Sequence, residues 1–304
     1  MKQRAIYVGI LLSLCIVFNC CAQQDDFPVL KGPYLGQKPP GMIPELFAPG
    51  IISREDTREF AITFSPDGRE CFFCRLLTNT FILTTKEVNG KWTDPDVAGF
   101  SGKNFDFEPH ITPDGSRLVF GSNRPLPGSE KAIGFPQFYC EKDANGWSSP
   151  KPLGSPFKER FVMYVSVTND GTIYFTGNEN GKDGIYMSKY RNGQYQSPVA
   201  LGENINYLPT SAHPFISPDE SYLIYDAQPQ EGNADLFISF KKKDGTWTKS
   251  VSLGEKFNTD WNDMVAFVSR DGEYLFFSRL KPGKGDIYWV DAKIIEELRP
   301  DGLR

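Results

Sequence analysis

The sequence predicts an all-β chain built from repeated units, and three observations carry that prediction. An apolar strand, a Ser/Thr-x-Asp-Gly turn and a second apolar strand recur five times, with small variations, along the 304 residues. Aromatic residues make up 14% of the chain and are accompanied by 28 Gly and 23 Pro, a mixture that suits many short strands joined by tight turns. The strands are near-continuously apolar rather than alternating, so both of their faces should be buried.

The first unit reads Phe60-Ala61-Ile62-Thr63-Phe64-Ser65-Pro66-Asp67-Gly68, followed by Cys71-Phe72-Phe73. The pattern returns at 108–115, 164–171, 213–220 and 265–272, each time followed by a second apolar strand. Pro66, Pro113 and Pro218 preset φ at the first turn corner, and Gly supplies the positive φ that closes the turn. Asn169 stands for Pro in the third unit and Glu220 for Gly in the fourth. Asp67, Asp114, Asp170, Asp219 and Asp271 read as turn caps, because their carboxylates accept local N–H bonds.

Each unit continues with a third strand, as in Phe81-Ile82-Leu83-Thr84 and Asp286-Ile287-Tyr288-Trp289. In the first four units an Asn-Gly or Asp-Gly turn follows, then an aromatic (Trp92, Trp147, Tyr195 or Trp247), then a short outer strand. Four strands at a period of about fifty residues match one propeller blade. The fifth unit lacks its outer strand and ends in a short helical tail at 292–298, while residues 44–50 resemble an outer strand that precedes the first unit. The expected fold is therefore a five-bladed β-propeller of four-stranded antiparallel blades over residues 42–304. Its ring would be closed by an N-terminal strand joining the last blade, which leaves no exposed sheet edge.

The Ser-Pro-Asp-Gly hairpins and the apolar-aromatic strands after them resemble the WD40-like repeats of the TolB C-terminal propeller. The resemblance spans about residues 42–295. It implies the fold and no particular chemistry. Propellers of this kind serve as protein-interaction platforms, envelope components and non-catalytic parts of peptidases, and some related propellers act on carbohydrates.

Residues 1–21 read as an export signal: Lys2 and Arg4 precede an apolar run at 6–18 that is short for a bilayer span. Cys20 or Cys21 would become an acylated N-terminus, or cleavage would follow Ala22. The Pro-rich stretch 22–41 reads as a flexible tether. The expected location is the periplasm, or the outer membrane through a lipid anchor. Cys71, Cys74 and Cys140 remain in the body; the first two lie three apart in one strand and face opposite sides, so all three are expected as buried small apolar groups.

A net charge of −5 with no basic stripe argues against nucleic acid. The loops entering the inner strands carry Glu59, Asp106, Glu108, Glu159, Arg160, His213 and Asp263, and those after the second strands carry Arg75, Arg124, Asp226 and Arg279. In a channel mouth, Glu59, Glu108 and Asp263 would permit acid/base glycoside chemistry. Arg75, Arg124 and Arg279, with His110, His213 and Asp226, would suit an acidic ligand. The competing reading is that these groups pair with one another between blades. No nucleophile elbow, zinc motif or phosphate-binding loop occurs, so no cofactor or metal is expected. The expected function is a monomeric, non-catalytic binding or scaffold propeller for an envelope protein or glycan. The alternative is a carbohydrate-active enzyme of glycoside hydrolase type.

Overall fold

The computed structural model describes residues 27–129, 134–158, 160–179, 181–229 and 232–303. The proposed signal, Cys20, Cys21 and Glu159 lie outside the described residues. Among the described residues the architecture is nearly all-β, with one six-residue α-helix, Lys293–Leu298. Each of the five sequence units forms an antiparallel run of three long strands. Their inner strands are Arg58–Phe64, Asp106–Ile111, Val162–Val167, Thr210–Ile216 and Asn262–Val268. In the first four units a two-residue outer strand completes the sheet: Asp96–Val97, Lys151–Pro152, Val199–Ala200 and Val251–Ser252.

The turns behave as their chemistry demands. Ser65 Oγ donates to Asp67 Oδ1 at 2.6 Å and Arg69 N–H donates to the same oxygen at 3.1 Å; Asp114, Asp170, Asp219 and Asp271 hold equivalent bonds. Glu220, at φ 60° where other units carry Gly, accepts a bond from Tyr174 Oη at 2.7 Å and pairs with Lys241, so its side chain links two units. The aromatics after the outer hairpins pack into the clusters between sheets, with Trp92, Trp147, Trp247 and Tyr195 each in or against a different one. Cys71, Cys74 and Cys140 are free and buried, and Cys71 and Cys74 face different clusters, as their spacing requires.

The fifth unit takes its fourth strand from the other end of the chain. Glu45 and Leu46 pair antiparallel with Trp289 and Tyr288. Phe47, fully buried, lies edge-on to Trp289 at 5.0 Å and to Phe276 at 5.1 Å. Ser53 Oγ accepts the Ile287 N–H at 3.0 Å and donates to the Ile287 carbonyl at 3.3 Å. A single parallel pairing, Arg58 with Gly285, joins the first unit's sheet to the last. A Cβ at Gly285 would lie 2.8 Å from the Glu59 carbonyl oxygen, so only glycine permits this approach.

The stretch expected as a tether is docked in its second part. Tyr34 N–H donates to the Gly68 carbonyl and Tyr34 Oη to Asp271, Trp92 Nε1 donates to the Gly32 carbonyl, and Leu35 is fully buried. This segment fills the groove between the first and fifth units at their turn ends. The terminal helix lies beside the fourth and fifth units: Ile294 and Ile295 are buried, and the Arg299 guanidinium lies 4.8 Å from the Phe240 ring centre.

Truncating Phe47 to Ala is expected to cost about 3–5 kcal/mol of unfolding free energy in urea melts. A loss below about 1 kcal/mol would show that the Glu45–Leu46 strand does not hold the last sheet together.

Candidate functional site

All five inner strands break register at the same place. Ala61, Glu108, Tyr164, His213 and Val265 occupy equivalent positions, each with φ between 46° and 55°. Positive φ is strained for residues with a Cβ and severe for a β-branched one, so the surroundings must enforce it. They do so through the neighbouring unit. Ala61 N–H donates to Ser278 Oγ at 3.0 Å, Glu108 N–H to Cys74 Sγ at 3.1 Å, His213 N–H to Thr176 Oγ1 at 2.8 Å, and Val265 N–H to Asp226 Oδ1 at 3.0 Å. These four acceptors share one position in the second strands. The second unit has Gly121 there, and the Phe107 ring fills its place, 2.6 Å from where a Cβ would stand.

The five left-handed side chains are buried and meet one another. Ala61, Tyr164 and Val265 belong to one apolar cluster. The Tyr164 ring stands edge-on to His213 at 5.7 Å, and its hydroxyl donates to the Ala266 carbonyl at 2.8 Å. His213 lies between two carboxylates: Nε2 is 3.2 Å from Glu108 Oε1, and Nδ1 is 2.9 Å from Asp226. Burial alone would lower the His213 pKa. The Asp226 and Glu108 carboxylates outweigh it and push the value up to about 10. The ring is thus an imidazolium at neutral pH, with no free lone pair for a metal or a substrate proton. Glu108 Oε2 is buried without a partner.

His110 sits two residues further along the second unit's inner strand. Its Nε2 accepts the Val167 N–H at 3.3 Å, and burial pulls its pKa down to about 3. The two histidines expected at near-equivalent places therefore differ in kind, one an ion between carboxylates and the other neutral. They line different parts of the centre.

At the loop end of the sheets the remaining acids and arginines neutralise one another. Arg75 Nε bonds Glu59 Oε1 at 2.6 Å, Arg124 Nη2 bonds Asp106 Oδ1 at 2.7 Å, and Arg279 Nε bonds Asp263 Oδ1 at 2.7 Å. Arg75 Nη2 donates to the carbonyls of Ile51 and Ile52, Arg124 Nη2 also to that of Phe100, and Arg279 Nη2 to that of Phe257. The acids also accept from the entering loops: Glu59 from Thr57, Asp106 from Ser101, and Asp263 from Thr259. Each pair ties an entering loop to its own sheet. The competing sequence reading had these groups pairing between blades; the arginine pairs instead share a sheet, because Glu59 is opposite Arg75 and Asp263 opposite Arg279 in register.

No family model matches the sequence, and no curated protein resembles it in sequence. Solved structures do resemble it in shape. TolB from Agrobacterium tumefaciens superposes with a TM-score of 0.51 at 13% identity, over 77% of each chain. The catalytic domain of a GH62 α-L-arabinofuranosidase from Coprinopsis cinerea gives 0.51 at 10% identity, over 83% of this chain and 97% of that one. An endo-arabinase from Bacteroides thetaiotaomicron gives 0.51 at 14%, over 83% and 96%.

The fold is that of a TolB-like β-propeller.

At these identities the likeness speaks for the fold alone, so the chemistry rests on the residues of this propeller. Glu59 and Asp263 are locked to Arg75 and Arg279, and Glu108 faces an imidazolium. No two of them form a free acid and a free base. Among the described residues no His, Cys, Asp and Glu group is arranged to hold a metal ion. Arg75, Arg124 and Arg279 each pair with a carboxylate of their own sheet, whereas Glu108, His213 and Asp226 come together from three strands. Sequence reasoning missed Tyr164 and the acceptors Cys74, Thr176 and Ser278, because no glycine marks the left-handed position. Only alignment of all five repeats could have set Ala61, Glu108, Tyr164, His213 and Val265 in one column.

Arg279→Met or Asp263→Asn alone should cost about 3–5 kcal/mol in urea melts, since each strands a buried charge or polar group. The double variant Asp263→Leu/Arg279→Met should recover most of that loss, and an equal or larger loss in the double would refute the pairing. His213 has a folded pKa above its unfolded value of about 6.5. Its contribution is therefore full below pH 6.5 and is lost as pH rises towards 10. The stability difference between the wild type and His213→Gln should shrink across that window, and a difference that is flat with pH would contradict the assignment.

Proposed function

We propose that this chain is a non-catalytic binding or scaffold propeller of the cell envelope, which takes an envelope protein or glycan on its loop face. The observation that carries this reading is the contrast between the charged and apolar groups of that face. Glu59, Asp106, Asp263, Arg75, Arg124 and Arg279 are spent on loop anchoring, whereas Leu76, Leu77, Phe135, Phe161, Tyr207 and Trp261 are exposed there, each by 39–48%. All six flank the starts of the inner or third strands or the ends of the second strands, which antiparallel topology places at one end of the sheets. Large exposed aromatics gathered on one face are the usual mark of an interaction surface.

In this proposal the five sheets are the blades of a ring of WD40-like repeats, closed by the Glu45–Leu46 strand. The inner strands support it, since each contacts the next and the last contacts the first. The ring is monomeric and exported, and the apolar run at 6–18 with its basic start directs it to the periplasm or, through Cys20 or Cys21, to a lipid anchor. The glycoside-hydrolase alternative requires a free acid/base pair, and Glu59, Glu108 and Asp263 supply none.

Aryl α-L-arabinofuranosides and arabinan should show no turnover above buffer. Thermal melts against purified envelope proteins and against oligosaccharides should show stabilisation by one of the two classes, about 2.7 kcal/mol at a hundredfold excess over Kd. Phe161→Ala and Trp261→Ala should cancel it. Turnover that disappears in Glu108→Gln or Asp263→Asn would overturn the binding reading.

A further inference from the structure

The repeated units leave equivalent grooves between them, and the two ends of the chain fill two of these. The segment around Tyr34 lies between the fifth and first units, and the terminal helix lies beside the fourth and fifth. The first of these grooves holds extended peptide. Trp92 N–H donates to the Leu30 carbonyl at 3.0 Å, and Trp92 Nε1 donates to the Gly32 carbonyl at 2.7 Å. The Tyr34 ring stands edge-on to Phe64 at 5.1 Å and to Tyr274 at 5.0 Å, and its hydroxyl donates to Asp271 at 2.7 Å.

The groove between the first and second units has the same frame, and no segment of the described residues fills it. Strand register sets Asp67, Phe72 and Trp147 where Asp271, Phe276 and Trp92 stand around Tyr34. All three line a cavity of about 740 Å3. That volume lies well inside the range for ligand sites, about 300–1000 Å3. The buried Phe72 ring forms its floor. Half-buried Phe100 and Trp147 flank that ring, with centres 6.0 Å and 5.6 Å away. The indole N–H that in Trp92 meets a peptide carbonyl is held in Trp147 by Glu70 Oε1, at 3.0 Å.

The charge of this groove is opposite to that of the chain, which carries −5 in all. Its acids are engaged: Glu70 by Lys142 and Trp147, Glu87 by Arg69 and the Gly32 N–H, and Asp67 by Ser65 and the Arg69 N–H. Lys86 and Lys103 line the same groove and are exposed, and neither ammonium has a partner among the described residues. Lys86 stands where the fifth unit has Asp291. The sign at that position is therefore reversed from the groove that holds the chain's own segment, which carries Lys31 and Lys38.

We propose that the groove between the first and second units docks an extended peptide of a partner protein, one with acidic side chains flanking an aromatic or bulky aliphatic residue. The apolar side chain covers Phe72, Phe100 and Trp147, and the carboxylates pair with Lys86 and Lys103. An acidic oligosaccharide would also meet the lysines; the peptide lodged in the equivalent groove favours a peptide here. The site uses none of the exposed loop-face residues, so it is independent of the loop-face reading and would survive its failure.

The test is a titration of the full chain, isotopically labelled, with the blocked peptide acetyl-Asp-Gly-Pro-Tyr-Leu-Glu-amide, its counterpart with Lys at both ends, and a galacturonate oligomer, read by chemical shifts. The acidic peptide should shift the Trp147 Nε1–H resonance saturably, more weakly as salt rises, and the Lys counterpart should not. The double variant Lys86→Gln/Lys103→Gln changes two exposed side chains. It should keep the spectrum and weaken the acidic peptide about tenfold, as expected for loss of two surface charge contacts. Trp261→Ala, on the loop face, should leave the binding as it is. No saturable shift at Trp147, equal binding of the acidic and Lys peptides, or unchanged affinity in the double variant would each overturn the proposal. So would tighter binding of the galacturonate oligomer than of the peptide, or loss of peptide binding in Trp261→Ala.

Discussion

The structure depends on one repeated contact: the N–H of a left-handed residue in an inner strand donating to a side chain of the neighbouring unit. Ser278, Cys74, Thr176 and Asp226 accept these bonds at 2.8–3.1 Å. A register break would otherwise leave an N–H unpaired in a dry interior, which is among the costlier defects a core can hold. In four of the five units the acceptor comes from the preceding unit, so those units do not satisfy this N–H from their own residues. The Ser278 bond runs from the last unit to the first, so the same rule that joins neighbours also joins the ends. A second set of bonds repeats the logic nearer the turns: Ile111 N–H to Thr63, Val167 N–H to His110, and Ile216 N–H to Ser166.

That stitching settles the use of the polar groups. Asp226 receives the Val265 N–H and also fixes His213, and His213 in turn holds Glu108. Glu59, Asp106 and Asp263 anchor loops through arginines. A carboxylate that holds the fold together in this way is fixed in position by its partners. The acid-rich loops are an anchoring device.

The two chain ends give the molecule unequal grooves. The segment around Tyr34 fills the space between the first and fifth units, and the terminal helix packs beside the fourth and fifth. Pro66, Pro113, Pro218 and Arg270 gather where the turns of the units meet, around very little free space. The prolines that preset φ in three of the turns also pack towards one another there.

Much of the fold was legible in the residues themselves. The Ser-Pro-Asp-Gly turns, the third strands, the aromatics after Asn-Gly, the borrowed strand at 44–50 and the terminal helix all follow from local propensity and hydrophobic pattern, which act over a few residues. The docking of the segment around Tyr34 was not legible, because a Pro-rich polar stretch looks the same free or pinned until its partners at Gly68, Asp271 and Trp92 are in place. Nor were the roles of Glu108, His110 and His213, which lie within contacts that span up to about a hundred residues. By itself the sequence determined the units, their order and their turns. Only the tertiary structure decided which N–H meets which side chain, which charges cancel and which remain free, since those outcomes depend on how separate units are set against one another and no local pattern encodes them.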